Sequence, residues 1–300
     1  MYQKRYKIEQ GSNLGQIRAI YEQTVRREWS GNKMGLKIDY ISDLHMGFVV
    51  GGKRSYQSKV VQKIRKYVRL TLPETIGDVL VLAGDIDEYN TTILYTFEEY
   101  AKYYDKIFYV YGNHDLYLIS MNQQSKYKFD SRNRQEELKA SLAGNTELSN
   151  KVTILDNDVV SYKGLTIAGT MLWYTHPLTY DQIWWGMNSN DSRLILPRGH
   201  EHSEERHQLD LEFYQSLEHQ HIDLLITHIP PVHLNDKHKP NASYHNVAIA
   251  DLGLNADHWI CGHQHVRTIR QVGDTTIYVN AGGYPKELSG LPKIQSFTIQ

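Results

Sequence analysis

The chain has 300 residues, 40% of them hydrophobic, a formal net charge of −1 and a single cysteine, Cys261. That length and apolar content suffice for a sizeable buried core, and the balanced charge neither demands nor excludes a nucleic-acid partner. One cysteine rules out a disulfide within the chain, and no apolar run is long enough to span a membrane, so the sequence reads as a cytoplasmic protein.

Residues 1–33 differ in character from the rest of the chain. Lys4, Arg5, Lys7, Arg18, Arg26, Arg27 and Lys33 outnumber Glu9, Glu22 and Glu28, with a helical pattern from Asn13 to Trp29. They are expected to be a basic N-terminal extension to a domain spanning 34–300, or to precede a true first residue at Met34. Leu36 to Ile41 alternates as a strand does, and it runs into Ser42-Asp43-Leu44-His45. A Gly-rich turn from Gly47 to Gly52 then leads to a helix from Ser55 to Leu70. Its buried stripe is Val60, Val61, Ile64 and Val68. Lys59, Lys63, Arg65, Lys66 and Arg69 form a solvated basic face, or one that steers an anionic substrate.

Asp78 to Ala83 is a short apolar strand that lands on Gly84-Asp85. A helix from Thr91 to Tyr104 leads to the strand from Ile107 to Val110, which ends on Tyr111-Gly112-Asn113-His114-Asp115. This β-α-β-α-β order marks a layered α/β domain. Residues 117–150 are polar and expected to be helical, and strands come next at Val152 to Leu155, Val159 to Tyr162 and Leu165 to Gly169.

An aromatic and charged insertion occupies about 173–221. Trp173, Tyr174, Trp184 and Trp185 are expected either in the core or on a pocket rim where a nucleobase stacks. His200, His202, His207, His219 and His221 lie at no strand end, around a charged helix from Ser203 to Leu217, and are expected at the surface. Asp223 to Thr227 then delivers His228, and the strand from Trp259 to Cys261 delivers Gly262-His263-Gln264-His265. Strands from Thr276 to Val279 and from Gln295 to Ile299 close the chain. Cys261 reads as a small buried hydrophobe.

Five strand ends thus each deliver side chains able to bind metal or move a proton. Their carboxylate, amide and imidazole donors suit Mn, Fe, Zn or Ni better than Ca. Two cations a few ångströms apart need a shared anionic bridge, and Asp85 at the tip of a central strand is the natural one. The turn at Gly47 can bring Asp43 and His45 to one ion, while His263 and His265 can each reach a different one. Such a pair activates a bridging hydroxide and neutralises phosphate oxygens during in-line displacement.

Asp43-x-His45, Gly84-Asp85, Gly112-Asn113-His114-Asp115, His228 and Gly262-His263-x-His265 together resemble the five blocks of the calcineurin-like metallophosphoesterase superfamily, in its bacterial and phage group, from about Leu36 to Gly282. The resemblance implies an α/β fold, a four-layer α/β/β/α sandwich of two mixed sheets, with two divalent transition-metal ions at the strand ends. One ion would take Asp43, His45, Asp85 and His265; the other would take Asp85, Asn113, His228 and His263. His114 looks like the general acid, with Asp87, Glu88 and Asp115 all candidates to orient it.

The phosphoprotein phosphatase branch carries an Asp-Arg pair after the bridging aspartate, whereas Asp85 is followed by Ile86-Asp87-Glu88-Tyr89. The expected substrate is therefore a small, nucleotide-like phosphodiester and not a phosphoprotein. A nuclease of the same fold is the nearest alternative, and a non-catalytic metal-binding scaffold for protein contacts is a weaker one.

Overall fold

The computed structural model describes residues 35–51, 57–236, 241–253 and 255–300, and Lys37–Ile299 gather into one compact unit. The extension expected over 1–33 lies outside the described residues. The strands in chain order are β1 (Leu36–Ile41), β2 (Val79–Leu82), β3 (Ile107–Tyr109), β4 (Val152–Ile154), β5 (Asp158–Tyr162) and β6 (Leu165–Thr170). They continue with β7 (Leu224–Thr227), β8 (His258–Cys261), β9 (Arg267–Val272), β10 (Thr275–Asn280) and β11 (Gln295–Ile299).

One sheet has the order β11-β1-β2-β3-β4, and β1 to β4 run parallel, with Ile38 opposite Val79 and Leu82 opposite Tyr109. The other has the order β5-β6-β7-β8-β10-β9. Its four inner strands are parallel and its edge strands β5 and β9 antiparallel to their neighbours. A parallel strand covered on both faces must be apolar throughout, which is why β2 reads Val-Leu-Val-Leu without a break.

Side-chain alternation fixes the layers. Tyr40 on β1 meets Tyr278 on β10 edge-on at 5.7 Å between ring centroids, and Phe108 on β3 meets Tyr162 on β5 at 5.6 Å, so these residues face the opposite sheet. The next residues face outward. Tyr109 packs on Phe97 of the helix Asn90–Tyr100 at 5.1 Å, and Trp259 on β8 stacks on Tyr214 of the helix His200–Ser216 at 5.8 Å. Helix, sheet, sheet and helix succeed one another in that order: a four-layer α/β/β/α sandwich.

The C-terminal ends of the two sheets are stitched together. Ser42, just past β1, bridges Ala281, just past β10, with Ser42 N donating to Asn280 O at 3.1 Å and Gly282 N to Ser42 O at 2.8 Å. Everything that leaves β1, β2, β3, β7, β8 and β10 therefore arrives along one seam.

Several local expectations change. The expected turn from Gly47 begins instead with a short helix, Met46–Val50, because Met46 and Val50 bury their side chains in the core. The basic helix runs Gln57–Thr71, with Val61 only half-buried. Lys63 donates to Val50 O at 2.7 Å and Arg65 pairs with Glu99, so part of its basic face ties down neighbouring elements. Trp173, Tyr174 and Trp185 are 1%, 0% and 5% exposed, which places them in the core and not on a rim, with Trp184 half-buried against them. His207 is buried rather than superficial, because its Nδ1–H finds an acceptor in Trp173 O at 2.8 Å. Strand β9 and the helix Thr179–Asn188 escape the sequence reading; β9 is a half-exposed, mostly polar edge strand without a clean alternation.

Candidate metal centre

The ends of β1, β2 and β8 reach the seam through backbone that side chains ordinarily avoid. Asp43, His45, Asp85, His263 and His265 all have positive φ, between 41° and 67°. Left-handed backbone costs a non-glycine residue about 1–2 kcal/mol, and it persists here because the loops hydrogen-bond one another. Asp43 N donates to Gly84 O at 3.0 Å, His45 N to Asp85 O at 3.1 Å and Gly262 N to His228 O at 3.0 Å. Strain concentrated at one spot and held by its surroundings is the pattern of a functional site.

Two glycines are required by close approach. A Cβ on Gly112 would stand 2.2 Å from Asp85 Oδ1, and one on Gly262 would stand 2.6 Å from Asp43 Oδ2. Asp115 fastens the exits of β2 and β3. Its carboxylate accepts the backbone N–H groups of Gly112, Asp85, Ile86 and Asp87 at 2.8–3.2 Å.

All eight residues singled out from the sequence converge. Asp43, His45 and His265 place ligand atoms within 4.8 Å of one another, with His45 Nε2 at 3.1 Å from His265 Nε2 and His265 Nε2 at 3.4 Å from Asp43 Oδ1. On the other side, His228 Nε2 and His263 Nδ1 lie 2.9 and 3.1 Å from Asn113 Oδ1. Asp85 stands between the two groups: Oδ2 faces His45 Nε2 at 3.8 Å and Oδ1 faces His228 Nε2 at 3.4 Å.

The tautomers decide whether a cation fits. His228 Nδ1 points at Ala83 O (2.8 Å), His263 Nε2 at Ser243 O (2.8 Å) and His265 Nδ1 at a Glu287 oxygen (2.6 Å). A carbonyl or carboxylate oxygen can only accept, so each ring donates outward and turns its second nitrogen inward. Asn113 likewise gives its Nδ2 hydrogens to Asp191 Oδ1 (2.8 Å) and turns its oxygen inward. Lone pairs of His228, His263 and Asn113 therefore converge with no proton among them in the neutral form. His45 Nδ1 is buried with no hydrogen-bond partner. A donor set of this kind fits divalent transition metals.

Without metal, two of the rings, His228 and His265, favour a proton, while burial holds it off His263. Burial opposes charge on His228 and His265, but Asp85 and Asp43 outweigh it for His228 and push it up to about 9. For His265 the Asp43 and Glu287 carboxylates outweigh burial and push it up to about 10. Burial and the nearby His114 hold His45 down, at about 3. Asp43 is lowered to about 2 against the opposing effect of burial, by the hydrogen bond and charge of His265.

His114 takes a different position. Its Nδ1–H donates to Glu88 Oε1 at 3.0 Å, which selects Glu88 among the three acids expected as orienters; Asp115 is engaged by backbone amides and Asp87 Oδ1 by Tyr89 N. Its Nε2 meets the Tyr284 hydroxyl at 3.0 Å. The Tyr284 ring lies 4.6 Å from the rings of both His45 and His265, and Tyr284 N donates to the same Glu287 oxygen that receives His265. Asp85, Asn113, His114, His263, His265, Tyr284 and Glu287 line a cavity of about 240 Å³ together with Asn235, Tyr244 and Gln264. A cavity of about 260 Å³ between the helices Ser131–Ala143 and His200–Ser216 is slightly larger but gathers no such ligand set. Sequence reasoning missed Tyr284, Glu287, Ser243 and Asp191. For Tyr284 a signal existed, since the strand ending near Val279 is followed by Gly282-Gly283, the same strand-then-glycine pattern as at Gly84 and Gly112.

The sequence profile of the calcineurin-like phosphoesterase family matches residues 36–267. The chain belongs to that family. The family is one of metal-dependent phosphoesterases, and the convergent Asp and His groups are candidate ligands for a divalent metal. An uncharacterized protein of Acanthamoeba polyphaga mimivirus is 27% identical over 137 residues, 45% of this chain and 43% of that protein, so the match spans less than half of the relative. Among solved structures, the phosphopantetheinyl hydrolase of Mycobacterium tuberculosis superposes with a TM-score of 0.61 at 18% identity, covering 87% of this chain and 96% of that one. That likeness is one of fold. A putative 5′-nucleotidase of Staphylococcus aureus gives a TM-score of 0.40 at 12% identity, over 87% of this chain and 53% of the other.

Proposed function

We propose that this phosphoesterase hydrolyses small phosphodiesters, with two divalent ions held by Asp43, His45, Asp85 and His265 on one side and by Asp85, Asn113, His228 and His263 on the other, and with His114 as general acid. The observation that carries the substrate class is the charge of the cavity wall. Among the described residues lining it there is no lysine or arginine, and Glu287 adds an anion. Arg134 lies nearby but spends its guanidinium on the carbonyls of Asp87, His114 and Tyr117. A phosphomonoester dianion needs cationic donors beyond the metals, whereas a phosphodiester carries a single charge and asks for less. Bound divalent ions polarise phosphate oxygens and make water acidic enough to attack. The chain's own contribution is orientation: Glu88 fixes the His114 ring and favours its protonated form, and Nε2, now met by the Tyr284 hydroxyl, can hand a proton to a departing oxygen that displaces it.

The test is turnover of matched aryl phosphodiester and phosphomonoester substrates by metal-stripped protein re-supplied with Mn²⁺, Zn²⁺, Fe²⁺ or Mg²⁺. The expected result is a kcat/KM at least about tenfold higher for the diester, equivalent to about 1.4 kcal/mol in the barrier. A preference for the monoester or for phosphopeptides overturns the substrate class, and progressive degradation of DNA or RNA assigns a nuclease instead.

Metal affinity is expected to rise with pH. A ring nitrogen must lose its proton before it binds metal, and His228 and His265 hold theirs up to about 9 and about 10. Below those values each displaced proton changes affinity by about tenfold per pH unit. Calorimetry in buffers of different ionisation enthalpy should therefore detect proton release near pH 7, and its absence would contradict this electrostatic picture.

Tyr284→Phe is expected to lower KM by about fivefold and leave kcat within about twofold. The Tyr284 hydroxyl occupies His114 Nε2, the atom a leaving oxygen must reach, so substrate has to displace a hydrogen bond worth about 1 kcal/mol. A kcat loss beyond about tenfold would mean that the hydroxyl itself takes part in the reaction.

A further inference from the structure

We propose that Asp191 is a positioning residue for the metal centre, dictating which end of the Asn113 amide faces His228 and His263. This rests on the metal-binding reading above. The two ends of an amide have nearly the same shape, and nothing in the Asn113 side chain itself selects between them. With Oδ1 inward, the amide presents a lone pair to a cation beside His228 Nε2 and His263 Nδ1. Rotated by half a turn, it would present two N–H bonds and repel the cation.

Asp191 makes the choice. Its Oδ1 lies 2.8 Å from Asn113 Nδ2, and an ionised carboxylate can only accept, so the group facing it must be the NH₂. The flipped amide would set two oxygens against each other at that distance. Asp191 cannot turn away to relieve this, because its carboxylate is itself held from both sides. Tyr117 OH donates to Oδ1 at 2.5 Å, and Tyr174 OH donates to Oδ2 while accepting Trp185 Nε1–H at 2.9 Å. The backbone is pinned as well, by Asp191 N donating to Ser189 Oγ at 3.1 Å.

A second feature points the same way. Asp191 is 4% exposed, and among the described residues no lysine, arginine or histidine forms an ion pair with it. Buried charges are ordinarily paired or set against a metal. Here the group its carboxylate contacts is Asn113, whose oxygen faces His228 and His263. Asp191 comes from the aromatic insertion, 78 positions from Asn113, so that insertion supplies part of the metal centre's support and is more than a cover for the core.

The experiment titrates Mn²⁺ into the metal-stripped full chain by calorimetry, with circular dichroism to confirm folding. Wild type should take up two ions. Asp191→Asn should weaken one of them by about 10–100-fold, the usual effect of losing an outer partner of a metal ligand, and leave the other unchanged. The double variant Asn113→Asp/Asp191→Asn exchanges the two groups, with the amide at 191 donating to a carboxylate at 113, and should restore the second ion.

Unchanged affinities in Asp191→Asn overturn the proposal and leave the metal reading standing. So does a double variant that lacks the second ion, whether folded or not, because the loss then reflects packing. If Asp191→Asn alone fails to fold, a double variant that folds and binds two ions still upholds the pairing. A wild type that binds fewer than two ions removes the dinuclear reading and the proposal with it.

Discussion

Asp85→Ala is expected to leave less than one divalent ion per chain after dialysis, against two for the wild type, with a fall in kcat/KM of at least about 10³-fold. The two oxygens of Asp85 face different imidazoles, His45 on one side and His228 on the other, so a single side chain serves both groups of ligands. Two cations held by these two groups would repel strongly in a buried site, and a shared anion would offset that repulsion. Removing it should therefore cost more than one ligand's worth of affinity. The Lewis-acid contribution lost with the ions is on the order of several kcal/mol, and each 1.4 kcal/mol is tenfold in rate. Asp85→Asn is the informative companion, since it retains an acceptor for His114 N, now at 2.8 Å, while losing the charge. Both variants should keep the fold, because Asp115 continues to bind the amides on either side of Asp85. Elemental analysis that finds two ions in Asp85→Ala would remove Asp85 from its bridging place.

The contrast between what the sequence announced and what it concealed has a physical origin. Residues at strand ends were legible because two independent signals coincide there: an apolar run that must be buried, and a polar ligand type directly after it. Asp43, Asp85, Asn113, His228, His263 and His265 all carry both signals, and all reach the seam. The two-sheet sandwich was legible through the resemblance, while the β-α-β-α-β run already required a layered α/β arrangement. Asp191 carried neither signal. It sits in a polar stretch of the insertion, and its importance comes only from a hydrogen bond across 78 positions that no local pattern encodes. The choice of Glu88 to orient His114 was equally hidden, because Asp87, Glu88 and Asp115 differ in reach and direction and not in type. Only the turn after Asp85 shows that Asp115 points at four backbone amides while Glu88 reaches the ring. The aromatic residues 173, 174 and 185 were legible only as far as two alternatives, core or rim, and burial decides for the core. What their composition could not show is that Tyr174 and Trp185 form a buried chain of donors and acceptors ending on Asp191.

His114→Ala is expected to retain both ions and the fold while losing about 10²–10⁴-fold in kcat, the usual contribution of a positioned general acid. Its backbone is anchored independently of the ring, since Arg134 Nη1 donates to His114 O at 3.1 Å and His114 N donates to Asp85. The ring itself is held between Glu88 and Tyr284 and packs on Tyr117 at 4.2 Å between centroids. The leaving group should reveal the role. A poor leaving group such as an alkoxide needs a proton as its bond to phosphorus breaks, whereas a nitrophenolate departs as a stable anion. The loss in His114→Ala should therefore shrink by at least about tenfold on going from the first to the second. Glu88→Gln should show the same trend with a smaller loss, because the ring keeps its place but loses the carboxylate that favours its protonated form. An equal loss for both substrates would assign His114 to binding the phosphoryl group and not to proton donation. One ring nitrogen of His114 lies within 4.8 Å of ligand atoms on both His45 and Asp85, so metal content must be measured alongside rate. Loss of an ion in His114→Ala would make this histidine a ligand and shift the role of acid to Tyr284, whose hydroxyl faces the same cavity.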